Sequence, residues 1–165
     1  MIILGIDPGT ATTGYGAIET TKRKGEHVLK DFGVITTKSN LSDSERLLVL
    51  GKDLENLIKT LKPSAIGVEK LFFTTNQKTA MTVSQARGVV LYLCEKSKIP
   101  VFEFTPLQVK SFICGYGKAE KKQVQYMVQQ IFKLKSPPKP DDAADAVAVA
   151  LYTSHIFQKM HLQLK

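Results

Sequence analysis

A short apolar run at the start of the chain, Ile2 to Ile6, limits what this sequence can fold into. Its residues are apolar or glycine at consecutive positions, and Asp7-Pro8-Gly9 ends the run at once. Consecutive rather than alternating apolar residues are typical of a strand that is covered on both faces of its sheet. Helices on both sides of the sheet provide such cover, so we predict an α/β fold with this strand near the centre.

Further strands and several helices are predicted along the rest of the chain. Residue alternation and apolar runs indicate strands over 13–20, 27–37, 65–69 and 100–104. Helical spacing and capping residues indicate helices that begin after Ser42 or Ser44, near Thr79, at Pro106 after the N-cap Thr105, near Glu120 and after Pro140. This order predicts a mixed five-stranded sheet flanked by helices on both faces, in a single domain over residues 1–165.

Charge and cysteine content narrow the possible partners of the chain. Lys and Arg number 23 against 15 for Asp and Glu, and the net charge of +8 favours a polyanion such as nucleic acid over a neutral metabolite. Cys94 and Cys114 have neither metal-binding spacing nor the density of a disulfide scaffold, as expected in a reducing cytoplasm. The sequence shows no secretory leader and no membrane-spanning run, so we expect a cytoplasmic protein without a membrane partner.

Four acidic residues lie where a metal-dependent nuclease would need them. Asp7 and Glu69 each end a predicted strand, and Asp142 and Asp145 share a face of the last predicted helix. Strand ends from distant parts of the chain meet at one edge of such a sheet, so we expect Asp7 and Glu69 to face each other there. Oxygen ligands gathered in this way suit Mg²⁺ and phosphoryl chemistry, and two Mg²⁺ would neutralise four carboxylates.

Each of these acids also has a purely structural explanation. An aspartate before Pro-Gly is commonly a turn residue, and Glu69 could simply be the polar end of a strand. Asp141 and Asp142 begin a helix, where capping and the helix dipole favour acids, and Asp141 is predicted to face solvent. Asp145 is harder to explain, because an unpaired carboxylate on an alanine-rich helix face would be costly. The joint occurrence of the four acids favours the metal-site interpretation.

Five short motifs occur in order between Ile2 and about Ser154. They are Ile6-Asp7-Pro8-Gly9-Thr10, Gly14-Tyr15-Gly16, Val68-Glu69 followed by Phe72, Gln85-Ala86-Arg87-Gly88, and Asp142-Ala143-Ala144-Asp145-Ala146. The Asp-x-Gly turn alone is weak evidence, because actin-like ATPases share it. The ordered set is specific, and it resembles the RuvC family of bacterial Holliday junction resolvases.

That resemblance implies an RNase H-like fold and a homodimer that nicks two strands of a four-way DNA junction symmetrically. The family's catalytic residues match Asp7, Glu69, Asp142 and Asp145, which would bind two Mg²⁺ ions, with Mn²⁺ able to substitute. Some members carry histidine at the position of Asp142, so that residue is expected to bind metal less directly. The branch-migration proteins RuvA and RuvB are implied as partners by the family alone.

Several basic and aromatic residues match DNA contacts of the family. Lys110 and Lys121 correspond to its DNA-contacting lysines, and Lys118 and Lys122 are auxiliary candidates for contacts with phosphate. The alternative for any of these lysines is a solvated helix face. Phe72 matches an aromatic residue implicated in base contact, although most Phe-Phe pairs belong to cores and Phe73 is expected to pack inward.

The helix predicted from Thr79 to Lys96 carries apolar residues on more than one face. Its region corresponds to the dimer-forming region of the family, which would explain a second buried face. We therefore expect an outward-facing apolar residue there, with Val90 as the candidate, and a structural role for Arg87.

Three other functions compete with this interpretation. An actin-like or sugar-kinase ATPase would need a second lobe that 165 residues do not supply. A non-enzymatic junction-binding module would explain the charge but not Asp145. Another RNase H-like nuclease is the nearest rival, and it would cleave RNA strands or linear duplex in preference to junctions.

Overall fold

The fold places one mixed sheet between helices. A computed structural model describes residues 1–21, 23, 25–70 and 77–163, the side chains of 77–79 and 161–163 excepted. Within these residues the strands are β1 (Ile2–Asp7), β2 (Thr12–Thr20), β3 (His27–Thr36), β4 (Ala65–Glu69) and β5 (Val101–Phe104). The helices are α1 (Asp43–Leu61), α2 (Gln77–Lys96), α3 (Pro106–Cys114), α4 (Lys121–Phe132) and α5 (Asp141–Gln163).

The sheet has the strand order β3-β2-β1-β4-β5, so β1 is its central strand, as its apolar sequence predicts. β1 pairs antiparallel with β2 and parallel with β4, β2 pairs antiparallel with β3, and β4 pairs parallel with β5. The predicted mixed five-stranded sheet is therefore confirmed. Because β1 and β4 run in the same direction, their carboxyl ends lie at the same edge of the sheet.

Helices cover both faces of the sheet and form two separate hydrophobic cores. On one face, α1 and α2 pack against the sheet through buried residues such as Leu54 and Val90. On the other face, buried residues of α3, α4 and α5 form the second core, with Val109, Val128 and Val147 among them. Both predicted layers are present, and β1 contributes side chains to each of them.

Helix α5 lies directly against the sheet because small residues allow a close approach. Its alanines from Ala143 to Ala150 are fully buried. The facing strands carry glycines at the contact points, and a Cβ at Gly5 or Gly14 would overlap the carbonyl oxygen of Ala146 or Asp142 respectively. The start of α5 is therefore held against β1 and β2 without room for adjustment.

The helix starts follow the predicted capping residues. Ser42 caps α1 in a reciprocal arrangement with Glu45, and Thr105 caps α3 with Gln108 while Pro106 takes the first helical position. α2 begins at Gln77, two residues earlier than predicted.

The expectation that Val90 faces outward is wrong. Val90 is fully buried in the core between α2 and the sheet, together with Leu93 and Cys94. The large apolar residues that α2 does expose are Met81 and Tyr92, at 71% and 64% exposure. A helix on a sheet buries one face, and the apolar sequence of α2 did not show which of its faces that is. None of the helices in the described part of the chain is long and apolar enough to span a membrane.

Candidate active site

Asp7 is positioned by the end of the central strand and by the turn that follows it. The turn is fixed by Thr13, whose hydroxyl donates to the Gly9 carbonyl at 2.6 Å and accepts the Gly9 N–H at 3.3 Å. Thr37 donates its hydroxyl to the Thr10 carbonyl at 2.6 Å, which ties the same turn to the residue that follows β3. Asp7 therefore projects from a rigid part of the molecule.

Glu69 lies beside Asp7 because of the register of two parallel strands. Ile6 pairs with Val68, so the next residue on each strand, Asp7 and Glu69, falls at the same level of the sheet. The Lys70 N–H donates to the Phe104 carbonyl at 2.7 Å, which continues the β4–β5 ladder past Glu69. The two acids thus lie at one edge of the sheet, as predicted.

Helix α5 brings Asp145 to the same place. A cavity of about 310 Å³ is lined by the carboxylates of Asp7, Glu69 and Asp145, together with Lys110, Lys121, Pro106, Val109 and Val124. The Asp145 side chain is only 17% exposed. Asp142 lies outside the lining of this cavity, but its charge still acts on Asp7. The cavity therefore brings three of the predicted catalytic acids together, and the fourth, Asp142, lies outside it but near enough to raise the pKa of Asp7.

Burial and mutual repulsion disfavour the ionised forms of the four carboxylates. Burial, followed by repulsion from Glu69, Asp145 and Asp142, holds the pKa of Asp7 well above its ordinary value. Burial and the charge of Asp145 raise the pKa of Glu69 to about 7. Burial also raises the pKa of Asp145 to about 6, although the ammonium of Lys121 opposes this shift. The pKa of Asp142 is raised too, by burial and by Asp141.

This donor set fits a hard divalent cation in both charge and chemistry. Carboxylate oxygens are the preferred protein ligands of Mg²⁺, and a bound cation would relieve the repulsion that raises these pKa values. In the described residues, no three Asp, Glu, His or Cys side chains are already arranged to hold one ion.

Lys121 pairs with two acids of α5. Its ammonium donates to the Asp141 carboxylate at 2.6 Å and lies 4.0 Å from a carboxylate oxygen of Asp145. Asp141 was expected to be a solvent-facing capping residue. Its side chain is indeed 40% exposed, but it also forms an ion pair with Lys121, which the sequence did not predict. The sequence shows an acid and a lysine at two helix starts but does not show that these starts meet.

The other predicted DNA contacts lie at different places. Lys110 lines the cavity, whereas Lys118 and Lys122 are exposed just before α4 and within its first turn. Phe72 and Phe73 fall outside the described residues. Arg87 forms an ion pair with Glu103 of β5, which agrees with the structural role expected for it.

Comparison with known proteins agrees with the fold and shows the family. The sequence model of the family described as crossover junction endodeoxyribonuclease RuvC matches residues 3–153. The crossover junction endodeoxyribonuclease RuvC of Ruminiclostridium cellulolyticum is 52% identical over 151 residues, covering 92% of this chain and 90% of that protein. The protein of the same name from Clostridioides difficile is 48% identical over 155 residues, covering 94% and 90%.

Solved structures give the same result. Thermus thermophilus RuvC in complex with Holliday junction substrate superimposes with a TM-score of 0.87 at 32% identity, covering 98% of this chain and 96% of that one. The predicted RNase H-like fold is thereby confirmed, and so is the resemblance carried by the five motifs. This chain belongs to the RuvC family of crossover junction endodeoxyribonucleases.

Proposed function

We propose that this chain resolves four-way DNA junctions by paired, symmetric nicks, through Mg²⁺-dependent hydrolysis of phosphodiester bonds. The observation that carries the proposal is that Asp7, Glu69 and Asp145 line the same cavity as Lys110 and Lys121. A cavity with both charges suits a bound cation and a DNA phosphate together. The similarity to a RuvC solved with Holliday junction substrate supports a junction as the DNA structure that is cut. We propose that the chain acts in the cytoplasm, where two cysteines without a disulfide pattern are expected.

Asp7, Glu69, Asp142 and Asp145 would hold the metal, and we propose two Mg²⁺ per site because four carboxylates carry four negative charges. Mn²⁺ is expected to substitute. Divalent cations in such sites provide a nucleophile at neutral pH and stabilise negative charge on phosphate oxygens. Asp7 supplies the most rigid ligand because it ends the central strand and is followed by the turn that Thr13 fixes.

The lysines would bring the DNA backbone to the acids. Lys110 and Lys121 lie at the cavity itself, so they would contact phosphates close to the bond that is cut. Lys118 and Lys122 are exposed outside the cavity and would contact phosphates further along the strand. Such contacts give affinity without sequence choice, which suits an enzyme that selects a DNA structure.

Two symmetric cuts require two active sites, and we propose that a homodimer provides them. The outer face of α2 carries the exposed Met81 and Tyr92, with Gly88 between them and open space around it. Glycine in an exposed helix interior costs about 1 kcal/mol relative to alanine, and close approach of a second helix would explain its presence. RuvA and RuvB remain proposed partners on the basis of the family.

A cleavage assay tests the proposed reaction. A four-way junction, a linear duplex of the same sequence and an RNA–DNA hybrid should be compared with and without Mg²⁺. We expect cutting of the junction alone, at symmetric positions and only with metal. The Asp7→Asn variant serves as the catalytic control. Preferred cutting of the hybrid would instead indicate another RNase H-like nuclease, and metal-independent cutting would contradict the carboxylate mechanism.

A further inference from the structure

Two helix starts meet at the edge of the active-site cavity, and their charges are matched across the contact. Lys121 is the first residue of α4 and Asp141 is the first residue of α5. The ammonium of Lys121 lies 2.6 Å from Asp141 and 4.0 Å from Asp145. Asp141 and Asp145 are one helical turn apart on α5, so Lys121 faces both of them from the neighbouring helix.

The position of Lys121 is unfavourable for α4 taken by itself. The first turn of α4 contains Lys121 and Lys122, and its one nearby acid is the N-cap residue Glu120, although a helix N-terminus carries partial positive charge. Positive side chains at a helix N-terminus are locally unfavourable, and such unfavourable residues commonly occur at functional positions. The acid that bonds to the ammonium of Lys121 comes from α5, and it is the outer Asp141 rather than the inner Asp145.

The two acids differ in their distance from the lysine and in their exposure. Asp141 is 40% exposed and makes the hydrogen bond, whereas Asp145 is 17% exposed and lies beyond hydrogen-bond distance of the same ammonium. A lysine bonded directly to Asp145 would occupy a carboxylate that the metal needs. The contact with Asp141 holds the ammonium at the outer edge of the acids and leaves Asp145 available.

We propose that Asp141 is a positioning residue that keeps Lys121 off the metal-binding carboxylate of Asp145 until DNA and metal arrive. This inference rests on the proposed function, in which Asp145 holds metal and Lys121 contacts phosphate. Without the Asp141 carboxylate, the ammonium moves to Asp145, the nearest remaining acid, and an incoming cation has to displace it. Asp141 thus acts on the metal through Lys121.

A double-mutant cycle measures this coupling in the DNA-free protein. Mn²⁺ is titrated into wild type, Asp141→Asn, Lys121→Ala and the double variant, and its affinity is followed by calorimetry. We expect Asp141→Asn to weaken Mn²⁺ binding by about tenfold when Lys121 is present, the equivalent of one charge-assisted hydrogen bond. In the Lys121→Ala background the same substitution should weaken binding by less than about threefold, since only its distant charge is lost.

Two further measurements separate this role from a merely structural one. Asp43→Asn makes the same substitution at the first residue of α1, on the other face of the sheet, and it should leave Mn²⁺ affinity unchanged. In nicking assays, Asp141→Asn should need more Mg²⁺ for half-maximal rate but should recover to within about threefold of wild type at saturating metal, because about tenfold in affinity is all that is lost.

The outcomes are distinct. Equal weakening by Asp141→Asn in both backgrounds, or no weakening in either, would overturn the positioning role and leave the proposed metal site intact. A nicking defect that saturating metal does not restore would also overturn it. Wild-type protein that binds no Mn²⁺ would overturn the metal site itself, and this inference with it.

Discussion

At the scale of single residues, the candidate metal-binding acids Glu69 and Asp145 lower the stability of the metal-free fold when they ionise. Burial raises the pKa of Glu69 to about 7, so its ionisation is more costly in the folded than in the unfolded chain. A raised pKa contributes stability that is complete below the ordinary value near 4.5 and is lost as the pH rises through about 7. Asp145, whose pKa is raised to about 6, acts in the same direction. Metal-free protein should therefore lose stability between about pH 4.5 and pH 7.

Replacing Glu69 by glutamine should remove this penalty. In EDTA at pH 8, we expect Glu69→Gln to raise the Tm by on the order of 5 °C, and at pH 5 the gain should shrink towards zero. Thermal unfolding followed by circular dichroism at both pH values gives the comparison. Glu95→Gln, at an exposed position on α2, is the matched control and should change little at either pH. A gain of equal size at pH 5 and pH 8 would show that ionisation is not its cause.

Loss of one carboxylate should lower the rate of cutting without weakening junction binding. We expect Asp145→Asn to lower Mg²⁺-dependent nicking by more than about a hundredfold, because even outer residues of metal sites cost ten- to hundredfold when removed. Junction affinity in EDTA should stay the same or increase, since a charge that repels phosphate is gone. Gel-shift and nicking assays on one junction measure both quantities, with Asp53→Asn on α1 as the control. Near-normal nicking by Asp145→Asn would remove it from the catalytic set.

At the scale of secondary-structure elements, the contact between α5 and the sheet determines where two of the four acids lie. Buried alanines of α5 face glycines of β1 and β2, so helix and strands approach more closely than larger residues would allow. Asp142 stands at this contact, since its backbone carbonyl lies where a Cβ at Gly14 would be. The geometry of the site therefore depends on Gly14, the residue of β2 that pairs with Asp7.

Gly14→Ala should displace the start of α5 and with it Asp142 and Asp145. We expect the added methyl group to cost about 1–3 kcal/mol of stability, as overpacking generally does, and to reduce nicking as well. Gly51→Ala in α1 is the matched control, because its Cβ would meet Val89 at an ordinary distance of 3.5 Å. The control should be neutral or slightly stabilising, since alanine favours helix. Chemical denaturation and nicking assays check both variants, and a Gly14→Ala protein with wild-type stability would contradict the close-contact account.

At the scale of the whole molecule, the proposed assembly depends on the outer face of α2. The core takes most of the apolar residues of this helix, Val90 among them, so a charge at Val90 would unfold the protein rather than separate two subunits. The residues free to meet a second copy are the exposed Met81 and Tyr92. In a two-fold interface each copy presents the same patch, so one substitution acts twice.

Met81→Glu should therefore give a folded monomer. Like charges would meet across a symmetric interface, and we expect the 18.3 kDa species to predominate at micromolar concentration in sedimentation. Such a monomer should lose paired nicking although its carboxylates are intact. Met160→Glu, on α5 at the opposite face of the sheet and 48% exposed, is the matched control and should keep the wild-type mass. A wild-type chain that is itself monomeric, yet cuts both strands symmetrically, would rule out the dimer.

The sequence by itself determined most of the elements and indicated the candidate residues of the site. The apolar run of β1 indicated a central strand, and Ser42, Thr105 and Pro106 placed helix starts, because these signals act over a few neighbouring residues. The motif order indicated the family and, through it, Asp7, Glu69, Asp142 and Asp145. These signals depend on residue type and spacing, which can be read directly from the sequence.

Only the tertiary structure decided which surfaces meet. The burial of Val90 depends on which face of α2 turns to the sheet, and an apolar helix can turn either face inward. The bond between Lys121 and Asp141 joins residues twenty positions apart on different helices, and nothing local to either residue encodes it. The raised pKa of Asp7 likewise arises from burial and from acids brought together by the strand register and by α5. Such features depend on distances between elements, and packing fixes those distances only when the whole chain has folded.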